Sequence, residues 1–209
     1  MAITRYTASA DTTITNAFEA NLVTRGTGSN MGYADSLEVF SIYGQESGSN
    51  GQSAELSRIL IQFPVTQISA DRTAGIIPAA GSVSFFLKMY NAEHPFTLPQ
   101  DFTLTVAPIA RAWSEGTGLD MDEYKDLGVS NWLRSDASTS WTVVGGDYLR
   151  NDNNDVVFPR GYEDLEVDVT DVVENWILGS AGGQYDNYGF GIRLTGSQEA
   201  YFSSSAGSG

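Results

Sequence analysis

The sequence predicts an all-β fold, an antiparallel jelly-roll-like β-sandwich with one short helix at about residues 170–178. Three observations carry that expectation. Short stretches in which apolar and polar residues alternate recur along the chain, clusters of Gly, Pro, Asn and Ser punctuate them, and only one stretch changes to a helical period. The 209 residues, 41% hydrophobic and 11% aromatic with 22 glycines, suffice for one sizeable core. A single domain is expected over 1–204, and the end at 205–209, SAGSG, reads as a linker towards a further segment.

Ile3 to Ile14, rich in Thr and β-branched residues, reads as one or two opening strands. Asn16 to Asp35, with Gly26, Gly28 and Gly32, reads as a long surface loop. Leu37 to Tyr43 is the next strand, ending in a Gly- and Ser-rich tip at Gly44 to Ser53. Ser57 to Val65 is a core strand, with Ile59, Ile61 and Phe63 on one face and Arg58, Leu60 and Gln62 on the other, and Pro64 closes it. Ser82 to Tyr90 sets Val83, Phe85, Leu87 and Met89 against Ser84, Phe86, Lys88 and Tyr90. Phe102 to Ile109 alternates likewise. These two, joined by a proline-bearing loop, read as neighbours in one sheet.

Arg111 to Asp126 breaks the alternation with five carboxylates and reads as a loop with a helical turn. Asn131 to Leu133 and Ser140 to Val144 each present a tryptophan, and turns follow at Gly145, Gly146 and Asn151 to Asp155. The organising stretch is Asp164 to Thr195. Leu165, Val167 and Val169 form a half-buried strand, then Val172, Val173, Trp176 and Ile177 recur at helical spacing and carry Trp176 into the core. Asp171 with Glu174 reads as a capping box and Gly179 as the helix stop. Tyr188, Phe190, Ile192 and Leu194 restore period two, with Gly189 and Gly191 on the other face where a backbone or a ring can lie close. Ala200 to Ser205 reads as a last short strand.

Acidic residues outnumber basic ones 26 to 11, a formal net charge of −15. That field repels a phosphate backbone, so nucleic acid is not an expected partner. No run approaches the ~18 apolar residues of a membrane span, and the N-terminal residues show no secretory signal pattern, so synthesis in the cytoplasm is expected. Cysteine is absent, which removes disulfides and thiolate metal sites.

Candidate chemistry lies mostly in one loop. Glu115, Asp120, Asp122 and Glu123 sit beside Trp113, and glycoside hydrolysis needs two carboxylates about 5 to 9 Å apart. A polar loop of this kind is more often solvated. Hard cations take clustered carboxylates, which makes Asp120, Asp122 and Asp126 candidate ligands for a structural calcium, the one cofactor the sequence suggests. The run from Asn151 to Asp155 has similar ligand types. Neither matches an EF-hand loop, since Lys125 stands where its glycine should be and the second run is too short. Trp113 and Trp141 are candidate glycan-stacking residues. His94, the sole histidine, reads as a turn residue, and no GxSxG nucleophile setting is present, so no catalytic residue is expected.

DTTI at Asp11 to Ile14, SRILIQFPV, ARAWSEGTG, TSWTVVGGDY, VDVTDVVENW, NYGFGIRLTG and AYFSSS occur in the order seen in DNRLRE-type domains. The chain resembles those carbohydrate-binding-module-like β-sandwiches, and more closely the N-terminal region of structural proteins of tailed, particularly marine, phages. It lacks the name-giving hexapeptide, so no sugar site transfers residue by residue. The resemblance implies a non-enzymatic virion structural protein of head, neck or tail appendage, made in the host cytoplasm. Its partners would be other virion proteins and copies of itself, and a surface glycan is a further candidate. The alternatives are a carbohydrate-binding module attached to polysaccharide and a glycan hydrolase or lyase.

Overall fold

The computed structural model describes residues 3–42, 55–93, 98–119, 126, 128–149, 154–179 and 182–199. Its strands are β1 (Ala10–Thr15), β2 (Ser41–Ile42), β3 (Glu55–Gln62), β4 (Phe86–Met89), β5 (Phe102–Pro108), β6 (Asn154–Phe158), β7 (Leu165–Asp168) and β8 (Phe190–Leu194). The helices are α1 (Val65–Thr73), α2 (Thr170–Leu178) and α3 (Gly196–Glu199). A main sheet runs β1-β3-β8-β5-β6, with β2 also on β3, while β4 and β7 form a sheet of their own. Every pairing among the described residues is antiparallel. Strands in antiparallel sheets with few short helices make the chain all-β, as the period-two alternation predicts.

Register assigns the two faces of the main sheet. Ile59 lies opposite Ile192 and Ile61 opposite Phe190, Val106 continues the row, and Leu104 and Phe102 meet Val156 and Phe158. These side chains share a core with Leu87, Leu165, Val167, Val169, Val172, Val173 and Trp176, so the small sheet and α2 cover this face. Trp176 is 5% exposed and its ring lies 4.8 Å from that of Phe190, tilted by 54°. Phe102 and Phe158 stack at 4.9 Å. The opposite face carries Ile14 and Leu60, packed with Ile109, Trp132 and Trp141. Its cover comes from irregular segments on either side of Trp132 and Trp141, and it is called the loop face below.

Several expectations change. The chain has three helices among the described residues, where one was expected. Pro64 ends β3 but also precedes α1, because proline lacks the N–H that a first helical turn leaves unbonded. α1 stops in a Schellman pattern: Ile76 N–H donates to Asp71 O, Gly75 N–H donates to Arg72 O, and Gly75 has φ +73°. The expected capping box of α2 does not form. Asp168 Oδ1 accepts from Thr170 N–H at 2.9 Å, and Glu174 instead ion-pairs with Arg72 of α1. β4 and β5 are not neighbours, since β4 pairs with β7, while β5 lies between β8 and β6.

The stretch expected as a surface loop at Asn16 to Asp35 buries Ala17, Phe18, Ser29, Asn30 and Met31. Of the strand expected from Leu37 to Tyr43, only Ser41–Ile42 is in a ladder among the described residues. Of the turn expected at Asn151 to Asp155, Asn154 and Asp155 begin β6 instead, and residues 151–153, like the tip at 44–53, His94 and the expected strand at 200–205, lie outside the described residues. No helix among those described is long and apolar enough to cross a membrane.

Candidate functional site

The loop face gathers most of the residues singled out for chemistry, so it is the candidate site. Its centre is Asn30, a fully buried side chain whose amide must find partners for both its C=O and its NH2. Its Nδ2 donates to Glu115 O at 2.6 Å and Ser130 O at 2.8 Å, and its Oδ1 accepts from Gly32 N–H at 2.9 Å. Its own N–H donates to Asp126 Oδ2 at 2.9 Å. Gly118 is required here, because a Cβ at that position would lie 1.8 Å from the Asn30 carbonyl oxygen. One amide thus ties the loop after β1 to both ends of the acidic loop.

The carboxylates are drawn into the same clasp. Glu115 Oε1 accepts from Asp11 N–H at 2.9 Å, which brings a second carboxyl close to it. Burial, followed by the Glu115 charge, pushes the Asp11 carboxyl above its ordinary value. Of the candidate calcium ligands, Asp126 has one oxygen on Asn30, and Asp120 and Asp122, with Glu123, lie outside the described residues. Among the described residues no group of three His, Cys, Asp or Glu is placed to hold a metal ion.

The two tryptophans proposed for glycan stacking are placed differently. Trp141 is 5% exposed and its indole N–H donates to Asn131 O at 2.8 Å, so it packs in the core beneath the loop face. Trp113 is half-buried, with its N–H on Tyr188 O at 2.8 Å. Trp132, also 5% exposed, lies under the Arg58 guanidinium, 5.0 Å from ring centre to Cζ.

A cluster that periodicity did not bring forward adjoins these rings. Tyr148 lies over Gly191 so closely that a Cβ there would meet its ring at 2.0 Å. Arg58 and Arg193 flank the ring at 5.7 and 5.4 Å, and its hydroxyl donates to Gly145 O at 2.6 Å. Burial pushes the Tyr148 phenol up, against the pull of the two guanidiniums. Arg58 donates to both oxygens of Glu199 in α3, at 2.9 and 2.7 Å, and to Gly145 O at 2.8 Å. Burial opposes its charge, and Tyr148 with Glu199 outweighs burial and raises its pKa. The usable sequence signal was the pair Gly189 and Gly191, which marks where something lies close. It does not say which ring.

Two further acids fasten turns. Asp147 accepts from Thr142 N–H and Val143 N–H at 3.0 Å each and from Arg111 at 2.9 Å. Burial pushes its carboxyl up, and these donors more than offset that and hold it below its ordinary value. Asp136 Oδ1 accepts from Ser138 N–H and Thr139 N–H at 2.7 and 2.8 Å. Chemically the arrangement fixes backbone: each of these acids has at least one oxygen on a main-chain donor. Away from this face, a shallow apolar groove runs between α2 and the segment after α1, with Ile77, Pro78, Ile177 and Leu178 in its walls. No protein-family model, curated protein or solved structure matches the chain.

Proposed function

We propose that the chain is a non-enzymatic structural protein of a bacteriophage particle, acting in head, neck or tail-appendage assembly through protein–protein contacts. On this reading its strands belong to a jelly-roll-like sandwich of the DNRLRE type, and its location is the virion. The observation that carries the reading is the use made of the acids: Asp126, Asp136 and Asp147 bind backbone N–H groups of the loop face, and Glu115 binds the N–H of Asp11 in β1. That use rigidifies irregular backbone in a chain without cysteine, as a subunit that must hold its shape in an assembly requires. A catalytic acid or base needs a face directed at substrate instead. The order of the phage-like motifs and the acidic, cysteine-free composition support the same reading.

Mass spectrometry of purified phage particles tests it. The expected result is peptides of this chain at a stoichiometric level that survives high-salt washing. A chain absent from particles that binds a polysaccharide on a glycan array would replace the proposal with the carbohydrate-binding module. Turnover of a glycan, abolished by Glu115→Gln, would replace it with the hydrolase.

A further inference from the structure

The strand β6 ends the main sheet on one side. Which of its backbone groups face outward follows from β5. Thr195 N–H donates to Thr103 O and Ile109 N–H to Gly189 O, so the odd residues of β5 face β8 and the even ones face β6. In the β5–β6 register, Phe102 lies opposite Phe158, Leu104 opposite Val156 and Val106 opposite Asn154, and these pairs carry the hydrogen bonds. Asp155 and Val157 therefore direct their N–H and C=O groups away from the sheet. Among the described residues these four groups have no hydrogen-bond partner.

Edges of this kind are normally covered, bulged or blunted by charge and proline. β1, the edge on the other side, is covered: Thr12 Oγ1 accepts from Met31 N–H, Thr13 Oγ1 from Glu38 N–H, and Asp11 N–H donates to Glu115. At β6 the side chains of Asp155 and Val157 are exposed, Val157 at 62%. Pro159 follows the strand rather than sitting within it.

We propose that the β6 edge docks an extended basic segment of a partner protein, which adds an antiparallel strand to the main sheet. Charge selects the occupant. Asp155 makes one hydrogen bond, from Thr105 Oγ1 at 2.7 Å, and no cation pairs with it among the described residues. A second copy would bring a further net charge of −15 and its own Asp155 to the edge, which opposes self-pairing. A strand with Lys or Arg opposite Asp155 and a β-branched residue two positions away, opposite Val157, satisfies the charge, the apolar surface and the four backbone groups together. The inference deepens the proposed assembly role by naming the surface and the partner's chemistry.

The probe is a blocked nine-residue peptide alternating Lys and Val with Thr, with a glutamate-for-lysine version as control. Binding is followed by amide exchange and chemical shifts of the full chain. The Asp155 and Val157 amides should exchange quickly in the free protein and slow by about tenfold or more when the lysine peptide saturates. The glutamate peptide should leave them unchanged. Val157→Pro should weaken lysine-peptide binding about tenfold or more without loss of fold, since the N–H it removes makes no bond in the sheet. Asp155→Lys, as a second variant, should reverse the preference to the glutamate peptide. Lysine-peptide binding without protection of those two amides, equal binding by Val157→Pro, or association of the free chain into dimers through β6 would each overturn the proposal. None of these results bears on whether the chain is found in particles, so the two readings fail separately.

Discussion

The two faces of the main sheet are held in different ways. The face under α2 is closed by regular elements whose apolar side chains meet in register, with Phe190 against Trp176 and Ile61, Val106 and Leu87 in the same cluster. The loop face is closed by segments with little regular structure, and its order comes from hydrogen bonds that end on backbone: Asn30 to Glu115 O and Ser130 O, Asp147 to Thr142 N–H, Arg58 to Gly145 O. The first face tolerates exchange of one apolar group for another, since dispersion and burial are not directional. The second depends on donor and acceptor geometry, and loss of one member leaves its partner unsatisfied. Responses to substitution are therefore expected to be graded on the first face and abrupt on the second.

The largest expected effect belongs to the face under α2. Trp176→Ala should lower stability by about 3–5 kcal/mol, the usual cost of removing a buried aromatic ring, measured by denaturant unfolding. Trp176→Phe should cost much less, because the indole N–H of Trp176 has no hydrogen-bond partner among the described residues, so its loss orphans nothing. A similar cost for both would mean that the N–H is engaged after all.

On the loop face, Asn30→Ala should cost about 3 kcal/mol, since two carbonyls and the Gly32 N–H lose their partner in a site shut off from water. Asn30→Asp keeps the shape but cannot donate to Glu115 O or Ser130 O, and should be comparably destabilising. If Asn30→Asp were neutral, shape and not donor geometry would hold this face. Glu199→Gln should cost less, about 1–2 kcal/mol, because the amide oxygen still accepts from Arg58, whose side chain is 13% exposed. Thermal melts of the wild type and the three variants rank these effects.

The smallest effect is a dependence on acid. The Asp147 carboxyl is held below its ordinary value of 3.8. A depressed carboxylate contributes stability that is present above the unfolded value and is lost as pH falls through the folded one. Below about pH 4 the turn from Thr142 to Asp147 should therefore loosen, and tryptophan fluorescence from Trp132 and Trp141 should shift before far-ultraviolet circular dichroism changes. Asp147→Asn should flatten that early fluorescence change. At the alkaline end, burial and the Asp71 carboxylate push Tyr6 to about 12, so its contribution is present below about 10 and is lost as pH rises through 12.

Legibility in the sequence follows the same division. Period-two and helical alternation located β3, β5, β7, α2 and β8 and placed Trp176 in the core, because burial on one face of a regular element leaves a repeating pattern. Pairing was less visible: β4 meets β7, Phe86 opposite Asp168, and adjacency along the chain misled about its neighbour. α1 was missed because only Ile68 of its residues is buried, which leaves no apolar stripe to read. The clasp at Asn30 and the cluster of Arg58, Tyr148, Arg193 and Glu199 join residues as much as 141 positions apart. Directional contacts across irregular backbone have no period. Glycines such as Gly116, Gly118, Gly145 and Gly191 are their local trace, as each marks a close approach without naming what approaches.

Residue-resolved hydrogen exchange under native conditions tests most directly whether the loop face is a fixed layer. Ser130 N–H donates to Ser114 O at 3.0 Å, Trp132 N–H to Thr27 O at 3.2 Å and Gly145 N–H to Trp132 O at 2.7 Å. If polar clasps fix this layer, these amides exchange nearly as slowly as those of β3 in the wild type, and Asn30→Ala speeds them while β3 stays protected. Exchange of the same amides in the wild type at the rate of unstructured chain would contradict the account, and would leave the regular elements as the whole of the stable fold.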